Sequence, residues 1–207
     1  MKIDTTTCWY DNDKCPEQMI HGAIGRLWPI LENSDHFPVL SELMNSTSED
    51  CVSLLDIGCG AAEMSRIYPN YFYTGADLKN IIENVAMKMH PDKSYINFDI
   101  YADSEKCDFI SSFDIVVMNA FIDVLEFPVC GLESVLKHAS KYVILHRQEV
   151  DGQETRVIKN PSYGGLTYHS IINRGDFEGL LAEYSFEIVK ETAIIQNSKS
   201  FLLRKIK

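Results

Sequence analysis

The chain has 207 residues, 45% of them hydrophobic, and a formal net charge of −11. That length and composition suit one domain with a full-sized core and exclude a disordered chain. An acidic sequence without a Lys/Arg cluster is a poor match to a phosphate backbone, so a small-molecule substrate is expected and nucleic acid is not.

No apolar run reaches membrane-spanning length. The stretch MKIDTTTCWYDNDK lacks the apolar centre of a signal peptide, so no membrane association and a cytoplasmic location are expected. The cysteines Cys8, Cys15, Cys51, Cys59, Cys107 and Cys130 include no CxxC pair. Neither a metal site nor a thioredoxin-like motif is indicated, and reduced thiols are expected.

Residues 16–31 and 36–45 space their apolar groups as helices do, and residues 1–49 read as an N-terminal helical cap or lid of the same domain. From residue 50 the pattern changes. Apolar runs at 52–57, 71–76, 94–99, 113–119 and 141–146 alternate with candidate helices near 61–68, 79–89 and 131–139. This alternation is the signature of βαβ units. A polar, glycine-bearing segment follows Val150, then a helix near 175–184 and two apolar runs joined at Gln196-Asn197-Ser198. That link is too short for a parallel crossover, so the last two strands should pair antiparallel. The expected fold is α/β: a doubly wound, mostly parallel seven-stranded sheet with an antiparallel last strand and helices on both faces.

Residues 54–77 read LLDIGCGAAEMSRIYPNYFYTGAD. Gly58 and Gly60 let the backbone turn tightly and approach a ligand. A helix beginning near Ala61 would point free N–H groups at the same crevice. Asp77, ending the next strand, would accept both hydroxyls of a ribose. A dinucleotide fingerprint GxGxxG fails at Glu63, which stands where the third glycine belongs and would oppose a pyrophosphate. Asp56, two residues before the first glycine, suits a ligand with an ammonium group and no phosphate. A P-loop is excluded because no GK[ST] follows. The plain alternative is a doubly wound domain whose acids are ordinary helix caps.

On the motif LLDIGCGAA, with Ala62 in the last glycine position of GxGxG, the sequence resembles the class I S-adenosylmethionine-dependent methyltransferases over roughly residues 50–207. The resemblance implies S-adenosyl-L-methionine as cofactor and S-adenosyl-L-homocysteine as product. It implies that Asp56 and the backbone of Gly58, Cys59 and Gly60 hold the methionine end, and that Asp77, followed by Leu78, takes the ribose. Asp99 would lie near the adenine amino group with Ile100 packing the ring. Asn119 and Ala120 would line the floor beneath the sulfonium.

Substrate contacts are expected from loops at the C-terminal ends of the strands. Asp123, in NAFIDVLEFP, is a candidate polar anchor or catalytic group, or else a helix-terminal acid, and Glu126 is a second, weaker polar anchor. The string departs from the NPPY-type motif of amino-directed methyltransferases, which argues against a base or glutamine acceptor. His146 is a candidate general base at the end of the fifth strand, or a strand-end residue bonded to backbone. Arg147 would bind an acidic substrate. The segment NPSYGGLTYHSIINR offers Tyr163, Tyr168 and Arg174 as substrate contacts and His169 as a second catalytic candidate. Its structural alternative is a surface β-hairpin with Tyr168 as packing. N-terminal helices commonly close over the cofactor in the resembling family, which would place Trp9 or Tyr10 on the pocket, with Trp28 in the core.

The expected function is methyl transfer to a small molecule, to an oxygen of a metabolite or glycan precursor. The competing readings are a protein side-chain methyltransferase and a non-catalytic partner subunit that keeps the cofactor site. A homodimer is compatible with each. An NAD-dependent oxidoreductase is disfavoured by Glu63 and Asp56.

Overall fold

The structure is a computed structural model that describes residues 8–11, 14–27, 29–194 and 197–206. Trp28 and Gln196, named above in the core and in the closing turn, lie outside the described residues. Helices α1 (Cys8–Asp11) and α2 (Lys14–Ala23) lead through a 3-10 turn (Leu31–Asn33) to α3 (Phe37–Asn45). Strand β1 (Ser53–Ile57), α4 (Met64–Ile67) and β2 (Phe72–Asp77) follow. Then come α5 (Lys79–Ile81), a π turn (Ile82–Ala86), α6 (Met87–Met89), β3 (Ser94–Asn97), a 3-10 segment (Ser104–Ser112) and β4 (Ile115–Asn119). A 3-10 turn (Ile122–Val124) precedes α7 (Pro128–His138) and β5 (Tyr142–Asp151). The hairpin β6 (Arg156–Ser162) and β7 (Gly165–Asn173), helix α8 (Arg174–Glu183), β8 (Phe186–Ala193) and β9 (Ser198–Lys205) complete the chain.

The sheet runs β3-β2-β1-β4-β5, parallel throughout, and continues antiparallel through β9 to β8. Those are the seven strands expected, with the last one antiparallel. The β6–β7 hairpin raises the total to nine strands. It attaches where β5 outruns β4: Asn119 pairs with His146, and beyond it Glu149 to Asp151 pair with β7. The hairpin turn is Tyr163-Gly164, both at positive φ (51° and 75°), between the paired Ser162 and Gly165. Two left-handed residues are what a two-residue hairpin loop needs to follow the sheet twist.

Side chains alternate across the sheet, as strand geometry requires. Leu55, Val116, Met118, Val143 and Leu145 face one core with Leu132, Val135 and Leu136 of α7 and Phe177 of α8. Leu54, Ile115, Val117, Ile144 and Leu202 face the other, with Leu40, Leu43 and Met44 of α3. Both faces of the central strands are thus covered, which explains why they read as nearly unbroken apolar runs. Helix α3 therefore packs on the sheet as a core layer. The crossover helix α4 is a single turn, so α3 supplies apolar surface on that face. Helices α1 and α2 dock elsewhere, against Ile81 and Val85 through Trp9, Cys15 and Met19, and Asn80 Nδ2 donates to the Trp9 carbonyl at 3.0 Å. Cys15, Cys51, Cys59, Cys107 and Cys130 are free thiols. Among the described residues no helix is long and apolar enough to cross a membrane.

At the starting edge of the sheet one carboxylate ties three strands. Asp114 Oδ2 accepts from the Val52 and Ser53 amides (2.9 and 3.0 Å) and from Ser53 Oγ (2.8 Å), and Lys141 Nζ lies 2.6 Å from Oδ1. Partial burial pushes this carboxyl up, but Lys141 and the Val52 and Ser53 donors outweigh it and hold the group well below the usual carboxylate range. Hydrogen bonds to a charged group contribute about 1.5–3 kcal/mol. Asp114→Ala should therefore lower the unfolding free energy by about 2–3 kcal/mol in denaturant titrations, and Ser53→Ala by about 1 kcal/mol.

Candidate functional site

The parallel strands β1, β2, β4 and β5 end on one side of the sheet. The connections from β1 and β4 leave toward opposite faces, and the crevice between them is the natural ligand position in such a sheet. A cavity occupies it, walled by Gly58, Gly60, Asp77, Asp99, Asn119 and Arg147 among others. Trp9 and Tyr10 of α1 and Met19 and Ala23 of α2 roof it. Tyr163, at the hairpin tip, packs against Trp9 with ring centroids 5.0 Å apart and the planes tilted by 52°.

The glycine loop is built from left-handed residues: Gly58 at φ 72°, Gly60 at φ 51° and Ala62 at φ 57°. A Cβ at Gly58 would sit 2.3 Å from Phe121 Cδ2, so no side chain fits there without moving the β4 loop. Asp77 clamps the loop. Its Oδ2 accepts from the Gly60 amide at 2.9 Å and its Oδ1 from the Leu78 amide at 2.7 Å. Burial pushes the carboxyl up to about 6, against the pull of those two amides. The helix expected from Ala61 starts only at Met64 and has one turn. The left-handed Ala62 prevents an earlier start, and the Gly60 amide is taken by Asp77 instead of pointing free into the crevice. Glu63 lines the cavity and accepts from the Leu31 amide at 3.3 Å.

The cavity brings together Gly58, Cys59, Gly60, Asp77, Leu78, Asp99, Ile100, Asn119 and Ala120, and on the acceptor side Tyr10, Arg147, Tyr163 and Tyr168. Asp99 Oδ1 accepts from the Tyr101 and Ala102 amides (2.9 and 3.3 Å) and from Tyr10 OH at 3.4 Å, so the acid is tied to the roof. The Asn119 Oδ1 atom is buried without a hydrogen-bond partner, and so is Arg147 Nε.

Five expected site residues stand elsewhere. Asp56 shares the sheet face of Leu54 and is buried, accepting from Tyr73 OH at 2.9 Å, and it does not line the cavity. His146 shares the face of Ile144 and points under α3. Its Nε2 lies 3.0 Å from His36 Nδ1 and its Nδ1 2.7 Å from Ser200 Oγ. It is sealed from the cavity, and burial together with the His36 and Arg147 charges pushes its pKa far below the usual imidazole value. His169 is half-exposed and pairs with Glu149, Nε2 to Oε1 3.3 Å. Arg174 opens α8, where Glu178 and Glu191 each hold it at 2.7 Å. Asp123 sits between the lining residues Phe121 and Val124 without itself lining the cavity, and its Oδ1 is buried and unpartnered. Burial pushes it up to about 6, while Arg147 and His169 pull it down.

Phe121 and Tyr101 of the strand loops line the cavity beyond the residues expected, and Glu126 lines it as well. Phe121 directly follows Ala120, so a strand end read one residue further would have included it. Met19 and Ala23 gave no chemical signal, since they are ordinary apolar positions of a helix. Among the described residues no cluster of His, Cys, Asp or Glu could hold a metal ion.

No family model and no curated sequence matches the chain. Solved structures do. The amino pentose methyltransferase CalS10 of Micromonospora echinaspora, bound to S-adenosylmethionine, aligns over 89% of this chain and 95% of its own at 13% identity, with a TM-score of 0.61. An S-adenosylmethionine-dependent methyltransferase from Mesorhizobium loti aligns over 84% and 100% at 14% identity and TM-score 0.61. An O-methyltransferase family 2 protein from Planctomyces limnophilus, in complex with apigenin, aligns over 94% and 63% at 11% identity and TM-score 0.61. The chain has the fold of the class I S-adenosylmethionine-dependent methyltransferases.

Burial pushes the Asp56 carboxyl up to about 7, partly offset by the Tyr73 hydrogen bond and reinforced by the Asp77 and Glu63 charges. Its folded pKa thus exceeds the unfolded value of about 3.9. The stability this gives is fully present below about pH 4 and is lost as pH rises through about 7. Asp56→Asn should remove that dependence. In urea titrations at pH 5 and pH 8, the wild type should lose more stability than the variant by on the order of 2 kcal/mol.

Proposed function

We propose that the chain is an S-adenosyl-L-methionine-dependent methyltransferase acting on an oxygen of a small molecule. The observation that carries this reading is the pair of carboxylates, Asp77 and Asp99, ending β2 and lying just beyond β3 in one cavity, beside a left-handed glycine loop flanked by Glu63. Two acids can bind a nucleoside's hydroxyls and amino group, and Glu63 repels a pyrophosphate.

S-adenosyl-L-methionine, when bound, supplies a methyl group made electrophilic by a sulfonium. The residues present fit it. Asp77 takes the ribose hydroxyls, Leu78 and Ile100 pack the base, and Asp99 stands by its amino group. The loop backbone at Gly58 and Gly60 holds the methionine end without help from Asp56, which faces the core. Asn119 Oδ1, buried and unpartnered on the floor, is an acceptor that suits a cationic or N–H-bearing ligand.

Access is limited by the α1–α2 roof and by Tyr163. A small acceptor passes such an entrance more readily than a protein side chain held on its backbone. Two of the aligned structures, an amino pentose methyltransferase and a complex with apigenin, point the same way. Among the described residues no histidine lines the cavity. The chain therefore acts chiefly by orienting the acceptor and excluding water.

Calorimetry with S-adenosyl-L-homocysteine and with NAD tests this. The first should bind and the second should not. Asp77→Ala should weaken S-adenosyl-L-homocysteine by about ten- to a hundredfold, the worth of about 1.5–3 kcal/mol of charged hydrogen bonding. Binding of NAD alone would overturn the reading.

A further inference from the structure

The acceptor end of the cavity holds a cation whose arrangement the methyltransferase reading leaves unexplained. Arg147 interrupts β5 at φ 64°, where the β9 register shifts between Leu145 and Gln148. Such a bulge re-aims a side chain out of the ladder. Here Arg147 lines the cavity. Its NH1 lies 3.1 Å from His36 Nε2, and its Nε is buried without a partner.

An arginine only donates, so His36 Nε2 must be the acceptor. The proton of a neutral His36 then sits on Nδ1, which donates to His146 Nε2 at 3.0 Å. His146 in turn donates from Nδ1 to Ser200 Oγ at 2.7 Å. One direction of donation runs from Arg147 to Ser200 through two neutral imidazoles. Burial is the main cause that holds both histidines neutral; the Arg147 charge adds to it, and at His36 Asp35 opposes it weakly. The relay fixes one edge of the guanidinium and leaves the Nε side for something else.

We infer that Arg147 anchors an acceptor carrying a single carboxylate on a planar body, with His36 and His146 as positioning residues. This rests on the methyltransferase reading and adds the substrate class to it. The charge follows from the surroundings. Asp123 and Glu149 both bear on this region, and Glu126 and Asp99 line the same cavity. Those acids oppose a phosphate dianion about twice as strongly as a monoanion, so the group held by the single Arg147 cation carries one charge. The rings of Phe121, Tyr163 and Tyr168 line the same cavity and suit a planar body. The carboxylate is the handle and not the nucleophile, because an arginine-bound carboxylate has its electrons held by the guanidinium.

Benzoate and its neutral counterpart benzamide, titrated calorimetrically into protein saturated with S-adenosyl-L-homocysteine, test this. Benzoate should bind at least tenfold more tightly. Arg147→Gln should abolish that preference and keep the wild-type affinity for S-adenosyl-L-homocysteine. His36→Ala should reduce the preference several-fold, and His36→Gln, whose amide oxygen can accept from the guanidinium, should restore it. Equal affinity for the two probes, binding of neither, or a preference that survives Arg147→Gln would overturn the inference. Failure of wild-type protein to bind S-adenosyl-L-homocysteine would strike the cofactor reading instead, so the two failures are distinguishable.

Discussion

Asp77 uses both carboxylate oxygens on backbone amides, Gly60 on one side and Leu78 on the other. The first belongs to the loop after β1, the second to the turn after β2. The clamp joins two neighbouring strand ends and fixes the wall between them. A buried carboxylate without such donors would be costly, so the loop and the acid stabilise one another. The rest of the cavity is arranged against this wall. Phe121 can close over Gly58 only because the loop stays down and carries no side chain there. The single turn of α4 begins where the clamped loop ends.

A second constraint is the backbone strain gathered around the same cavity. Ala120, Arg147 and Tyr163 line it at positive φ (51°, 64° and 51°), alongside Gly58 and Gly60. A non-glycine residue in the left-handed region costs about 1–2 kcal/mol. Such positions persist where the surrounding structure over-determines them, and they cluster at functional sites. Each of the three is held by a different part of the sheet: Ala120 by the end of β4, Arg147 by the handover of β5 from β4 to β7, Tyr163 by the hairpin turn. Two tightly paired sheet faces supply the rigidity that keeps them there.

Much of this was legible in the sequence. The five parallel strands announced themselves as apolar runs, because strands covered on both faces have no polar side. Asp77 and Asp99 stood at run ends, and the chain topology carries every such end to one edge. What a run end does not reveal is which face it shows. Asp56 and His146 occupy suitable sequence positions, yet the two-residue strand period turns them toward Tyr73 and His36. Nor was the bulge at Arg147 visible, so β5 was expected to stop at residue 146 and runs to Asp151. The hairpin is weakly marked in the sequence, since Pro161 and its polar neighbours lack a strand's alternation. His36 could not be linked to Arg147 at all, because the two are 111 residues apart and meet only once α3 is laid on the sheet.

The central claim is that this cavity holds S-adenosyl-L-methionine with its nucleoside over β2 and β3 and its sulfur over β4. A crystal structure of the protein with S-adenosyl-L-homocysteine tests it most directly. The ribose hydroxyls should lie on Asp77, the adenine beside Asp99 and Ile100, and the sulfur above Asn119 and Ala120. A ligand bound outside the cavity, or seated in it with the adenine at the Arg147 end, would contradict it.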